Sequence, residues 1–126
     1  MKGFIFRCNN KTKREVFERK LFGEEIAYLD MIRDIGDNYV LFLYNTNTFE
    51  ISGPFRPASK GDLDIDKYAW GGAFRAQIKF EEIEDTTTIP FAKIEKVIRQ
   101  YRNNIYPYPL LDNEQVKMIL KLIDDF

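Results

Sequence analysis

Residues 39–44, Tyr-Val-Leu-Phe-Leu-Tyr, form an unbroken apolar run of strand length. A strand with no face suited to water belongs in the middle of a sheet. Asn45-Thr46-Asn47-Thr48 reads as the turn that follows, because Asn tolerates left-handed backbone and bonds its own chain locally. Phe49, Ile51, Gly53 and Phe55 then alternate with polar positions, which predicts the return strand of a hairpin. Pro54 has no amide to donate, so an edge or a bulge is expected there. Two further alternating segments add strands. In Gly3–Cys8, Phe4, Phe6 and Cys8 share one face; in 74–80, Phe74, Ala76, Ile78 and Phe80 face away from Arg75, Gln77 and Lys79.

Helical spacing fills the rest. Thr12 and Glu15 have the capping-box separation, opening a helix that buries Val16, Phe17 and Leu21 and that Gly23 ends. Ile26, Leu29, Ile32 and Ile35 predict a second helix over 24–35, broken by Gly36-Asp37-Asn38. Pro90 suits a first helical turn and predicts a helix over 90–101, with Phe91, Ile94, Ile98 and Tyr101 buried. Tyr106-Pro107-Tyr108-Pro109 forces an extended connector. Asp112 and Gln115 then open a last helix whose stripe is Val116, Ile119, Leu120 and Ile123. Strands and helices are mixed without regular βαβ alternation. The expected class is α+β: a curved, mostly antiparallel sheet or small β-barrel with flanking helices. The 126 residues suit a single domain spanning 1–126.

Composition narrows the chemistry. Nineteen Lys and Arg against 20 Asp and Glu leave a net charge of −1, too balanced for a general polyanion binder. There is no histidine, which removes Ser-His-Asp and Cys-His triads and every imidazole metal ligand. A single cysteine, Cys8, rules out an internal disulfide and a cysteine-built zinc site. No cofactor is expected. The opening MKGFIFRCNN has too short an apolar run for a signal peptide, and no stretch reaches bilayer length. The reading is an intracellular, cytoplasmic protein with Cys8 reduced.

Residues 57–73 form a long connection without a clear period, and such loops often carry function. Within it stands Tyr68-Ala69-Trp70-Gly71-Gly72, holding the only tryptophan. Its indole either stacks on a flat ligand such as a base, or folds over the core as a lid. Asn9 and Asn10, after the first strand, can read a base edge or can cap a helix and shape a turn. Gln77 is an exposed reader or a solvated strand residue. Lys11, Lys13, Arg14, Arg19 and Lys20 surround the first helix as a local phosphate-contacting patch or as a solvated face. Asp62, Asp64 and Asp66 are spaced like the opening of a calcium loop, yet Lys67 stands where its turn glycine belongs and Ala73 where its bidentate glutamate belongs. Glu81, Glu82, Glu84 and Asp85 could bind a metal if folded together, but a charged sheet edge is the commoner meaning.

Several ordered blocks resemble one family, the DCD (development and cell death) domain, described mainly from plant proteins induced by stress, hormones and pathogens. They are Gly3-Phe4-Ile5-Phe6 with Cys8-Asn9-Asn10, Leu21-Phe22-Gly23, Leu41-Phe42-Leu43-Tyr44, Asp64-Ile65-Asp66 with Ala69-Trp70, Phe74-Arg75-Ala76-Gln77-Ile78, Pro90-Phe91 and Asn113-Glu114-Gln115-Val116. Glu24-Glu25 replaces the family's leucine-proline, and Arg75 replaces a proline. The DCD domain is similar to the PUA-like superfamily, whose YTH and EVE domains hold a modified base in an aromatic pocket. That kinship implies a barrel-like sheet with flanking helices. It also implies a base pocket that includes Trp70, with Asn9, Asn10 and Gln77 close by.

The expected function is a non-enzymatic module that binds single-stranded or modified nucleic acid, RNA above all, through an aromatic pocket. The candidate ligand set is Trp70, Tyr68, Asn9, Asn10 and Gln77, with Lys11, Lys13, Arg14 and Arg75 on phosphates. The alternative is a protein-interaction module in stress or cell-death signalling, using the Tyr101–Tyr108 connector or a sheet edge. A carboxylate–metal nuclease is disfavoured, since the acidic residues lack a recognised ligand spacing.

Overall fold

The computed structural model describes residues 1–98 and 108–126. Its elements, in chain order, are β1 (Lys2–Cys8), α1 (Lys13–Arg19), β2 (Leu21–Glu24), α2 (Leu29–Arg33), β3 (Tyr39–Asn45), β4 (Glu50–Pro57), β5 (Asp62–Leu63), β6 (Ala76–Pro90), α3 (Glu95–Ile98), β7 (Leu110–Leu111) and α4 (Asn113–Asp124). The apolar run at 39–44 lies where its composition requires, inside the sheet order β2-β6-β4-β3-β1-β7, with β5 beside β6. The β1–β3 pair is parallel and the other pairings are antiparallel. The sheet curls into a half-barrel with flanking helices, the α+β class expected.

Alternation in β1 divides the core in two. Phe4, Phe6 and Cys8 face a cluster with Phe22, Phe55 and Phe80, while Ile5 faces a second cluster with Ile51, Ile89, Ile119 and Ile123. The second cluster is capped by α4, whose Val116, Ile119 and Ile123 are buried and whose Leu120 is half-buried. The Asp112–Gln115 capping box is made in both directions, at 2.8 and 2.9 Å. It satisfies two backbone amides that the helix start leaves unpaired.

Elsewhere the local signals lose to pairing. Helix α1 stops at Arg19, and Lys20 takes a left-handed φ of 51°. Leu21 and Phe22 are fully buried on β2, so Gly23 lies within a strand and caps nothing. The Thr12–Glu15 capping box is not formed; the Asn9 side-chain oxygen accepts from the Lys11 and Thr12 amides instead. The helix expected over 24–35 is reduced to a 3-10 turn at Ile26–Tyr28 and the short α2, because Glu24 is drawn into β2. Pro90 closes β6 rather than opening a long helix, and a 3-10 turn at Phe91–Lys93 leads into α3. Tyr101 and the connector up to Pro107 lie outside the described residues.

Pro54 does mark a bulge. Gly53 pairs with Thr87 and Phe55 with Glu82, so the single residue Pro54 faces residues 83–86 of β6. Among the described residues, no strand pairs β6 beyond Lys79 on the β2 side, so Glu81 and Glu82 stand on an open edge, as their charge suggested. Among the described residues, no helix is long and apolar enough to cross a membrane.

Candidate functional site

The site begins where β1 ends. Asn9 turns the chain by accepting the Lys11 and Thr12 amides at 2.9 Å each, while its own amide donates to Thr12 Oγ1 at 3.0 Å. This Asx turn starts α1, whose Thr12 carbonyl accepts the Val16 amide at 3.4 Å. That carbonyl accepts the Trp70 indole N–H at 3.0 Å. One helical turn along, Glu15 Oε1 accepts the Trp70 backbone amide at 2.9 Å and Arg19 Nε at 3.1 Å. Trp70 itself sits at φ 51°, ψ 35°, left-handed backbone that a non-glycine residue holds at a cost of about 1–3 kcal/mol. Its two hydrogen bonds to the α1 region offset that cost. The ring lies against Gly23, where an added Cβ would stand 2.4 Å from the indole Cζ3. Glycine at 23 therefore makes room for the tryptophan.

Phe74 completes a corner. Its ring is 5.8 Å from that of Trp70 and inclined at 82°, and its own φ of 53° places it outside β6, not on the strand face expected. Gln77 holds this geometry from below. It is 1 % exposed, so neither exposed reading stands: Oε1 accepts the Asp66 amide at 2.8 Å, and Nε2 donates to the Asp66 and Phe74 carbonyls at 3.2 Å. Alternation placed it on the correct face; the folded-back 62–74 loop covers that face. The three loop aspartates are each taken by an arginine, Asp62 by Arg33, Asp64 by Arg75 and Asp66 by Arg19. The arginine bonds hold Asp64 and Asp66 below the ordinary carboxylate range.

Together these residues enclose a cavity of about 290 Å³. Trp70, Phe74 and Gly23 form one side, Asn9, Thr12 and Thr46 another, and Cys8 and Val16 lie beside the Arg7–Glu24 pair. Glu24 is buried; it receives Arg7 Nη2 at 2.8 Å and the Arg7 amide at 2.9 Å. Burial pushes its carboxyl above the ordinary value, and the bonds from Arg7 pull against that rise. Burial likewise pushes the Cys8 thiol up to about 12, against the pull of nearby Lys13, so it is a thiol at neutral pH.

The candidate residues separate clearly. Trp70 and Asn9 meet at the cavity, and the Asn9 Nδ2 makes no hydrogen bond among the described residues. Asn10 does not line it; its side chain accepts from Asn45 Nδ2 at 3.0 Å, bracing the turn after β3. Tyr68 is 71 % exposed on the loop's outer side with Lys67 over its ring. Arg14 is paired with Glu18 and Arg75 with Asp64, which leaves Lys11 and Lys13 without an ion pair among the described residues. Phe74, Gly23 and Thr46 join the site without having been singled out for it. The resemblance of Leu21-Phe22-Gly23 and Phe74-Arg75 to family blocks marked Gly23 and Phe74, and Thr46 was marked only as part of a turn.

The Development and cell death domain family model matches residues 2–123. The B2 protein of Daucus carota is 46% identical over 68 residues, which are 54% of this chain and 33% of that protein. DCD domain-containing protein NRP-B of Glycine max is also 46% identical over 68 residues, 21% of its length. The match thus spans a third or less of these relatives. Among solved structures, the mmi1 YTH domain in complex with RNA superposes with a TM-score of 0.72 at 12% identity, covering 98% of this chain and 81% of that one. The Pho92 YTH domain in complex with m6A gives 0.71 at 9% identity, covering 97% and 82%. At such identities the likeness is one of fold.

Proposed function

The chain belongs to the Development and cell death domain family, and on that premise we propose that it is a non-enzymatic module that takes one base of a single-stranded RNA, plain or modified, into the Trp70 cavity. The observation that carries the reading is the corner of Trp70 and Phe74 at 82°, opening on a cavity with an oriented, unspent Asn9 amide. A base stacked on either ring meets the plane of the other nearly at right angles, so the pocket favours one orientation. Asn9 Nδ2 is aimed by the two backbone amides that hold its oxygen, and it can donate to an acceptor on the base edge. A volume near 290 Å³ lies at the small end of ligand pockets, which suits a single nucleobase better than a stretch of strand.

Lys11 on the turn that carries Asn9 and Lys13 at the start of α1 make no ion pair among the described residues and can meet the flanking phosphates. Two such contacts are compatible with a net charge of −1, because recognition of one base needs few cations. Binding rather than turnover also fits the two reactive groups in the wall. The Cys8 sulfur is held as a thiol by burial, and Glu24 is occupied by Arg7. RNA is favoured because the mmi1, Pho92 and Zygosaccharomyces rouxii MRB1 domains that share the fold were solved with RNA or m6A.

Anisotropy of labelled single strands, with and without N6-methyladenosine, tests the reading. Stacking is worth about 1–3 kcal/mol per base, so Trp70→Ala and Phe74→Ala should each weaken binding roughly five- to 150-fold. The salt slope for two phosphates should be near −1.4, from about −0.7 each. Unchanged affinity of a folded Trp70→Ala protein across the whole panel would falsify the pocket.

A further inference from the structure

We propose that the cleft at the other end of the β1–β3 pair is a docking groove for a basic peptide segment that inserts an apolar side chain. The Trp70 cavity lies where these parallel strands end, at Cys8 and Thr46; the second cleft lies where they begin, beside Met1 and Tyr39. Six residues at about 3.3 Å put the two roughly 20 Å apart. The second cleft holds about 590 Å³, twice the volume of the first. Its apolar wall comes from three elements: Val40 on β3, Ile83 on β6 and Leu120 on α4, all half-buried.

The bulge opposite Pro54 builds one side of it. Thr86 Oγ1 accepts the Ile83 amide at 3.1 Å and donates to the Pro54 carbonyl at 2.7 Å, pinning the extra residues of β6. Ile83 and Asp85, carried on this pinned bulge, both line the cleft. Asp37 and Asp124 line it from the turn before β3 and from the end of α4. None of these three carboxylates makes an ion pair among the described residues, whereas each aspartate of the Trp70 loop holds an arginine. Arg56 also lines the cleft, but its guanidinium is directed to Glu81 at 3.8 Å.

An apolar wall ringed by unpaired carboxylates complements Lys or Arg flanking an apolar anchor. The same rim repels RNA phosphates and acidic lipid surfaces, which leaves a cationic peptide as the matching occupant. The groove is independent of the base pocket, so one molecule can hold both partners.

The test is a titration of the full isotope-labelled chain, followed by amide chemical shifts, with a short synthetic peptide of alternating Lys and Leu. Peptides alternating Glu with Leu and Lys with Ser are the comparisons. Shifts should centre on Val40, Ile83 and Leu120, and both comparison peptides should bind about tenfold or more weaker. The combined variant Asp37→Asn, Asp85→Asn, Asp124→Asn changes only exposed groups; it should lose about tenfold in affinity for the Lys–Leu peptide while keeping its RNA affinity. The proposal is overturned by equal binding of the Lys–Ser peptide, by full affinity in the triple variant, by shifts mapping elsewhere, or by self-association that fills the cleft with a second copy.

Discussion

The two sides of the sheet are built from different matter. The cluster below the Trp70 loop is aromatic: Phe22 stacks on Phe80 at 4.0 Å and on Phe6 at 4.8 Å, with Phe55 edge-on at 5.3 Å. The cluster below α4 is largely isoleucine, from Ile5, Ile51, Ile89 and Ile94 to Ile119 and Ile123. Stacked rings have few rotamers and specific mutual angles, so they hold a loop above them in one place. Branched aliphatic chains fill the groove between a sheet and an amphipathic helix and ask little of orientation. The difference teaches that one side is built to position a ring and the other to seal a helix.

The largest expected effect comes from breaking the aromatic side at its centre. Phe22→Ala should lower stability by about 3–5 kcal/mol, whereas Ile119→Val on the aliphatic side should cost about 0.5–1.5 kcal/mol. Urea unfolding measures both; a Phe22→Ala loss no larger than that of Ile119→Val would mean that Phe22 is not the centre of the aromatic cluster.

A glycine pair sharpens the contrast at intermediate size. A Cβ at Gly3 would stand 2.7 Å from Val116 Cγ2 on α4, and one at Gly23 would stand 2.4 Å from the Trp70 ring. Gly3→Ala and Gly23→Ala should each destabilise by about 1–3 kcal/mol through overpacking. Only Gly23→Ala should also shift the emission of the single tryptophan and weaken RNA binding. Equal effects on emission would dissolve the distinction.

The smallest effect is a pH dependence confined to the aromatic side. Burial raises the folded Cys8 thiol from an ordinary 9.0 to about 12. Its contribution to stability is full below the unfolded value and is lost as pH rises toward the folded one, because only the unfolded chain ionises in between. Unfolding curves taken above pH 9 should therefore weaken more steeply in the natural protein than in Cys8→Ala. At pH 8 the native thiol should react with iodoacetamide far more slowly than after unfolding, because it is both less ionised and buried. Parallel pH curves for the two proteins would remove Cys8 from the account.

Much of the fold was legible because its signals are local and periodic. The 39–44 run, the Asp112–Gln115 box and the bulge at Pro54 each follow from residue type and spacing alone. Three of the failures share one cause. Gly23 looked like a helix end, Gln77 like a solvent-facing residue and Glu15 like half of a capping box. Each instead supports the Trp70 loop, through contacts 11 to 55 positions apart along the chain. Trp70 packs on the aromatic cluster as a lid and also lines the cavity, so the two positions do not exclude each other.

The sequence by itself determined which segments must be buried, where α4 begins, and that imidazole chemistry is closed to this chain, since apolar period, cap spacing and composition are read locally. Only the tertiary structure decided which polar residues are spent on architecture and which are left over. Asn10, Arg14, Arg75 and Gln77 are consumed by partners, while Asn9 Nδ2, Lys11, Lys13 and the rim of Asp37, Asp85 and Asp124 remain free among the described residues. A side chain's availability depends on what the folded chain brings within hydrogen-bond reach, and spacing along the sequence does not contain that distance.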